Sequence, residues 1–507
     1  FWLKPNSLRW RVRAHSRKPC VCGAAACRAS AMSNSDGLLA APLRCGLLAL
    51  AAVAACLTMR LERYGEEDVG GARSLGPDPP RLGRLAEYCH PPVDSGTEGH
   101  PPLAALELRA VVLTVRHGDR SAIHSIPGSL PPKGGGFSCS PEDLDAVWRD
   151  LPARYRVIST ATLAPIERPF RPQLREGSTS ECAPGQLTAR GFRQHLALGT
   201  HLHEAYKEFL AGLERSGGRL YVRSTDYPRT IGSAAALLTS LLPPSLWPAR
   251  IDIEVNEDEA AEIMHGVGTK SSSKAAGDGA AERVIEGSCR VSVRRSAAQF
   301  DAWKRPKEYA RLRTLFGEAA VGRAVTDFAD AMFAATCHRL PLPCGAGGCA
   351  DHQLAEALAH RADEYYCARF AGAEGGAVAT QLSFYPFLHE VLGLLQEAAP
   401  AGSVPSLAVF SGHNTVIAPL LSALGVYWGR LCRWPPYASR ISFELYRSPQ
   451  VGVDGSAQHF MRVLFNGEAL VGMRGCGAGE LCPLEDFAQG VASLLGGASD
   501  LAAACAA

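Results

Sequence analysis

The chain has 507 residues, enough for one large or two ordinary domains. It is 47% hydrophobic and 20% charged, with a formal net charge of +2. That balance fits a globular protein and argues against a general nucleic-acid or membrane-surface binder.

Residues 1–31 begin with Phe1, carry many basic residues and show no periodicity, so this doubtful or untranslated segment is set aside. Met32 is the first methionine. An apolar run at 46–59 lies between Arg44 and the pair Arg60 and Arg63. It is shorter than the roughly 20 residues of a full membrane span. Residues 32–63 are therefore expected to be a signal peptide or a signal anchor. Either would deliver the chain to the secretory pathway, as a secreted protein or a type II membrane protein. Residues 64–104 are rich in Pro, Gly and charge and read as a stem or linker.

Residues 111–115, Val-Val-Leu-Thr-Val, form an apolar β-branched run that reads as a buried strand. The strand ends in Arg116, His117, Gly118, Asp119 and Arg120, with Gly118 allowing a tight turn. Two guanidiniums thus flank one imidazole. Arginine grips phosphate oxygens in a bidentate manner, and a histidine held there can attack phosphorus. Residues 121–180 hold many Pro and Gly and read as an irregular excursion over the site. Thr188 is a candidate N-cap for an amphipathic helix carrying Leu196, Leu198, Leu202 and Tyr206. His195, His201 and His203 on that helix are read as packing or surface residues.

Residues 219–225 repeat the strand-then-turn pattern. Arg223 lies near the strand end, Asp226 follows, and a helix begins near Pro228 and stops at Pro243 and Pro244. Residues 266–282 are of low complexity; their Gly-Thr-Lys-Ser lacks the spacing and preceding strand of a P-loop. From about 297 to 398 the pattern is mainly helical, as at 318–335 and 353–366, and is expected to form a cap within an insertion at about 250–398. A third strand at 406–410 leads to Ser411, Gly412, His413 and Asn414, then a helix over 415–424. Residues 440–446 and 459–465 alternate as a closing strand pair.

Twelve of the 17 cysteines lie from Cys89 onward. In an oxidising lumen these would pair, in a connectivity the sequence does not reveal. Cys337, His338, Cys344, Cys349 and His352 have the look of a zinc cluster, but a lumenal chain favours disulfides.

Three strand-to-helix junctions thus offer Arg116, His117 and Arg120, then Arg223, then His413. Ligands of open α/β sheets bind where such junctions converge. A phosphate there would meet three guanidiniums and two imidazoles, and no metal or cofactor is expected. At this point the chain resembles the histidine acid phosphatase family, in its large lumenal branch. The resemblance rests on Arg116-His-Gly-Asp-Arg120, Gly185-Gln-Leu-Thr-Ala-Arg-Gly191, Arg223-Ser-Thr-Asp-Tyr-Pro-Arg-Thr230 and Ser411-Gly-His413. It implies an α/β domain over 105–490, with a mainly parallel sheet flanked by helices and an inserted helical cap, followed by a tail at 491–507.

The resemblance also implies roles. His117 would form a phosphohistidine with a phosphomonoester. Arg116, Arg120, Arg223 and His413 would bind the phosphoryl oxygens. Asp226 and Arg229 would fix the turn. The segments 363–370, 382–389 and 435–440 resemble a Golgi subgroup that removes phosphate from xylose in a proteoglycan linker, so a phosphorylated glycan is the expected partner. Two departures stand out. Ala122 replaces a frequent Pro, and Asn414 occupies the position of the acid that protonates the leaving group. Either another acid such as Asp119 takes that role, or the protein is an impaired phosphate-ester binder, or Asn414 is not the residue of the natural chain.

Overall fold

The computed structural model describes residues 83–506 except 104, 128, 130–135, 140–143, 244–249, 260, 267–282, 286–288, 292–306, 319–322, 372–375, 401 and 452–456. The apolar run at 46–59 and nearly all of the low-complexity stretch lie outside these residues. Among the described residues no helix is long and apolar enough to cross a membrane.

The centre is a mixed, mainly parallel sheet. Its strands are β1 (Glu107–Arg116), β2 (Tyr155–Ser159), β3 (Arg219–Thr225), β4 (Ile251–Asn256), β5 (Ser406–Gly412), β6 (Arg440–Val451), β7 (Ala457–Phe465), β8 (Glu468–Ala469) and β9 (Cys482–Pro483). Their order is β8-β7-β6-β1-β5-β3-β4-β2, with β9 paired to β7. Strands β1, β5, β3, β4 and β2 run parallel, and β6 and β7 close the sheet antiparallel.

Strand β1 explains the apolar run. Side chains alternate faces along a strand. Val111, Leu113 and Val115 face one buried cluster, while Ala110 and Val112 face the other. On the first face lie α3 (Ala189–Ala205) and α5 (Pro228–Leu241), which pack on each other through Leu198, Leu202, Ile231 and Leu238. On the second lie α7 (Val325–Cys337), α8 (His352–Ala371), α9 (Gly376–Ala398) and α10 (Asn414–Ala423). Phe387 of α9 meets Phe410 of β5 at 5.1 Å between ring centroids. The expected cap helices therefore share one core with the sheet.

Several boundaries differ from the sequence reading. Within the stretch read as a stem, α1 (Arg84–Cys89) buries Tyr88 and Cys89, because Tyr88 packs on Phe333 and Cys89 is disulfide-bonded to Cys337 of α7. The excursion at 121–180 contains α2 (Asp145–Arg154) and edge strand β2. Strand β4 belongs to the sheet and not to the cap, since alternate residues Ile251, Ile253 and Val255 are buried. The helix read from 318 starts at Val325. The tail is partly packed, with Leu494 and Leu495 buried.

Five disulfides are formed among the described residues: Cys89–Cys337, Cys139–Cys182, Cys344–Cys349, Cys367–Cys432 and Cys476–Cys482. They consume the cysteines of the zinc-like cluster.

The N-terminus of α3 presses on the turn after β1. A Cβ added at Gly191 would lie 2.1 Å from the Asp119 carbonyl oxygen, and one at Gly118 would lie 2.2 Å from that of Gly191. No side chain fits between these backbones. Gly191→Ala should cost about 1–3 kcal/mol through forced backbone shift. Thermal unfolding checks this, and an unchanged Tm would contradict the packing.

Candidate active site

Three strand ends meet side by side. Arg116 pairs with Gly412, and Ser224 with Ser411, so β1, β5 and β3 stop at the same level. The His117 amide donates to the Gly412 carbonyl at 2.9 Å and the Arg116 amide to that of Ser439 at 2.8 Å. The catalytic-looking turn is thus an extension of the sheet ladder.

The His117 ring is oriented by its own loop. Nδ1 lies 2.7 Å from the Gly118 carbonyl oxygen, which can only accept, so Nδ1 carries the hydrogen and Nε2 the lone pair. The His413 ring lies 5.4 Å away between centroids, at 70°. Its Nε2 is 3.0 Å from Thr225 Oγ1. His413 is the N-cap of α10, and its side chain caps no backbone amide, so that helix presents its positive end here.

Arginines surround the two imidazoles. Arg116 is fully buried, donates to Pro435 O and, at 2.7 Å, to Tyr88 Oη, and lies 4.3 Å over the Tyr437 ring. Arg120 is 2.7 Å from the Asp330 carboxylate, whose other oxygen accepts the amides of Ile123 and His124. Arg229, in the first turn of α5, stacks over Tyr227 at 4.3 Å. Its charge acts on both His117 and His413.

Arg223 departs from expectation. Its guanidinium turns to Glu262 at 3.3 Å and Glu390 at 3.5 Å. Strand alternation puts it on the same face as Tyr221, which also meets Glu390. Arg229, read from sequence as structural, takes the place beside the histidines. Position in the first turn of a helix that follows a strand was the available signal. Asp226 pairs with Arg168 through both oxygens, at 2.6 and 2.7 Å, which suits a structural role.

Asp119 acts as an anchor through one oxygen, while its buried Oδ2 has no hydrogen-bond partner among the described residues. Its Oδ1 accepts the Thr188 hydroxyl at 2.6 Å and contacts His338 Nε2. Burial alone would raise its pKa, but His338, Arg190 and the Thr188 hydroxyl together outweigh this and hold it below the usual range. It therefore stays ionised in mild acid and is poorly placed as a proton reserve. His338, noticed in the sequence only as a zinc-like residue, follows Cys337. The Cys337 partner, Cys89, follows Tyr88. One disulfide thus anchors the partners of both Asp119 and Arg116. The Asn414 amide donates to Tyr366 Oη, and Tyr366 stacks on Trp434 at 4.7 Å.

Burial, followed by Arg116 and Arg229, pushes His117 well below its ordinary pKa; burial, then Arg229, does the same to His413. Both rings are neutral in mild acid. Burial and Arg120 push Arg229 down to about 9. Crowded positive charge of this kind favours a bound anion, which would relieve it.

A family model described as histidine phosphatase superfamily, branch 2, matches residues 107–278 and 359–466. The chain belongs to that superfamily. Among its relatives, 2-phosphoxylose phosphatase 1 of Xenopus tropicalis is 26% identical over 77% of this chain and 74% of the relative. Counting factor 60 of Dictyostelium discoideum is 27% identical over 80% and 90%, and lysosomal acid phosphatase of Bos taurus is 28% identical over 60% and 68%. Among solved structures, a phytase of Klebsiella sp. ASR1 aligns over 78% of this chain and 95% of its own, at 18% identity and a TM-score of 0.44.

Two predictions follow from the site geometry. Arg229→Gln should weaken binding of inorganic phosphate by about 10–150-fold, the loss of a charge-assisted contact of ~1.5–3 kcal/mol. Arg223→Gln should leave that affinity within about 2-fold, far less than such a contact is worth, while lowering stability by stranding buried Glu262. Calorimetric titration and unfolding distinguish them, and the reverse pattern would contradict the placement. The second concerns His195, fully buried, 3.0 Å from the Arg116 carbonyl and pushed by burial down to about 4. Its folded pKa is depressed, so the unfolded chain binds the extra proton. Stability is full above pH about 6.5 and falls as pH drops towards 4. Between those limits the natural chain should lose about 3 kcal/mol more than His195→Gln in denaturant unfolding; equal losses would contradict a buried neutral ring.

Proposed function

We propose that the chain is an acid phosphatase that hydrolyses phosphomonoesters through a phosphohistidine on His117. The observation that carries the reading is a neutral imidazole, His117, fixed by Gly118 with its Nε2 lone pair available, beside His413 and ringed by Arg116, Arg120 and Arg229. In this reading His117 Nε2 attacks phosphorus, the arginines, His413 and the α10 N-terminus hold the phosphoryl oxygens, and water then releases phosphate. The nucleophile is a side chain, so the scheme assigns no step to a metal.

The relatives named 2-phosphoxylose phosphatase support xylose 2-phosphate in a proteoglycan linker as the substrate to try first. Five disulfides and a relative named for the lysosome suit a secretory-pathway lumen, and residues 32–63 would serve as signal or anchor for Golgi delivery. A second reading, an impaired phosphate-ester binder, is favoured by one observation: the Asn414 amide, engaged with Tyr366, has no titratable proton to give.

The test is hydrolysis of p-nitrophenyl phosphate in mild acid by residues 64–507, their His117→Ala variant and their Asn414→Asp variant. Turnover by the natural chain and its loss in His117→Ala are expected. Activity only in Asn414→Asp would favour the impaired binder. Full activity in His117→Ala would sink the mechanism.

A further inference from the structure

A sugar or alkyl phosphate leaves as an alkoxide, which needs a proton as the ester bond breaks. General acid catalysis is worth about 10²–10⁴-fold in such a step. The acids around His117 are spoken for. Asp119 is ionised and bound to His338 and Thr188, Asn414 is an amide, and Glu262 and Glu390 hold Arg223. The Tyr227 hydroxyl donates to Glu259, and its pKa is raised to about 12, by burial first and Glu259 second.

One further imidazole reaches this place. His265 ends a single 3₁₀ turn, Ile263–His265, that follows β4. Its ring lies 5.8 Å from that of His413 between centroids, at 31°, and 6.3 Å from that of Tyr227. Tyr227 in turn meets His413 edge-on at 5.1 Å. The rings of His117, His413 and His265 therefore form a chain with steps of 5.4 and 5.8 Å, with the nucleophile at one end. The backbone of Glu259 hydrogen-bonds the His265 ring, which favours the protonated form.

We infer that His265 is the group that protonates the leaving oxygen and so supplies the chemistry Asn414 lacks. This rests on the phosphatase reading given above. In the first step His117 Nε2 donates its lone pair to phosphorus and the P–O ester bond breaks. The bonding pair goes to the leaving oxygen, which takes the proton of His265 imidazolium and departs as the alcohol. In the second step neutral His265 takes a proton from water. The water oxygen attacks phosphorus, the P–N bond breaks with its pair returning to His117, and inorganic phosphate leaves.

The titratable and charged groups around His265 are Glu259, Tyr227, Arg229 and His413. Burial lowers its pKa below the ordinary 6.5; Glu259 opposes that and Arg229 adds to it. The group therefore carries its proton only in acid, which suits an acid phosphatase.

The test compares kcat/KM for an aryl ester, p-nitrophenyl phosphate, and an alkyl ester, β-glycerophosphate, in the natural chain and in His265→Gln. The aryl group leaves without much protonation, so its turnover also reports folding of the variant. The aryl-to-alkyl ratio should rise by about 10²-fold or more in His265→Gln. In the natural chain the alkyl ester alone should lose kcat/KM as pH rises through the His265 pKa, and the variant should lack that limb. An unmoved ratio, with both esters turned over, would overturn the donor and leave the phosphatase reading standing. Silence of the natural chain toward both esters would overturn the phosphatase reading and the donor with it.

Discussion

Arg116, Arg120 and Arg229 gather at the ends of three strands around two imidazoles, and the rest of the site adapts to that crowding of charge. Burying like charges is costly unless each is satisfied. Arg116 meets this with a carbonyl, a hydroxyl and aromatic faces, and Arg120 with Asp330. Arg229 stacks on a tyrosine. Burial first, and then the same field, keeps His117 neutral, and the field favours an anion. In the proposed mechanism, one arrangement would thus set both the nucleophile and the counter-charge for its electrophile.

The frame around that arrangement is rigid for identifiable reasons. The Gly118–Gly191 contact leaves no room for a side chain, so α3 and the turn after β1 cannot separate without losing their fit. Asp119 ties the turn to Thr188 and His338, and the Cys89–Cys337 disulfide ties those outer partners together. Residues far apart in sequence thus position one imidazole, which the turn itself orients through the Gly118 carbonyl.

The strands that carry chemistry were legible in the sequence, because β-branched apolar runs ending in Arg-His-Gly or Ser-Gly-His mark buried strands and their exits. Edge strand β2 and its neighbour β4 were not read, although Ile251, Ile253 and Val255 alternate; a short strand beside Pro-rich sequence is easily taken for loop. Helix α1 was hidden in a linker-like composition, although Arg84, Leu85, Tyr88 and Cys89 are all buried. In the site, His117, Arg116, Arg120 and His413 come together as the motifs imply. The exchange of Arg223 for Arg229 was beyond local pattern. It depends on Glu262 and Glu390, which arrive from elements distant in sequence and draw Arg223 away. The place of His338 beside Asp119 and of His265 beside His413 could not be read for the same reason, being set by tertiary packing.

The central claim is that His117 bonds to phosphorus during turnover. The most direct measurement is rapid alkaline quench of the protein mixed with p-nitrophenyl phosphate, followed by mass spectrometry of its peptides. The account predicts a transient, acid-labile phosphoryl group on His117. Turnover with no phosphorylated peptide, or with the phosphoryl group on another residue, would contradict it.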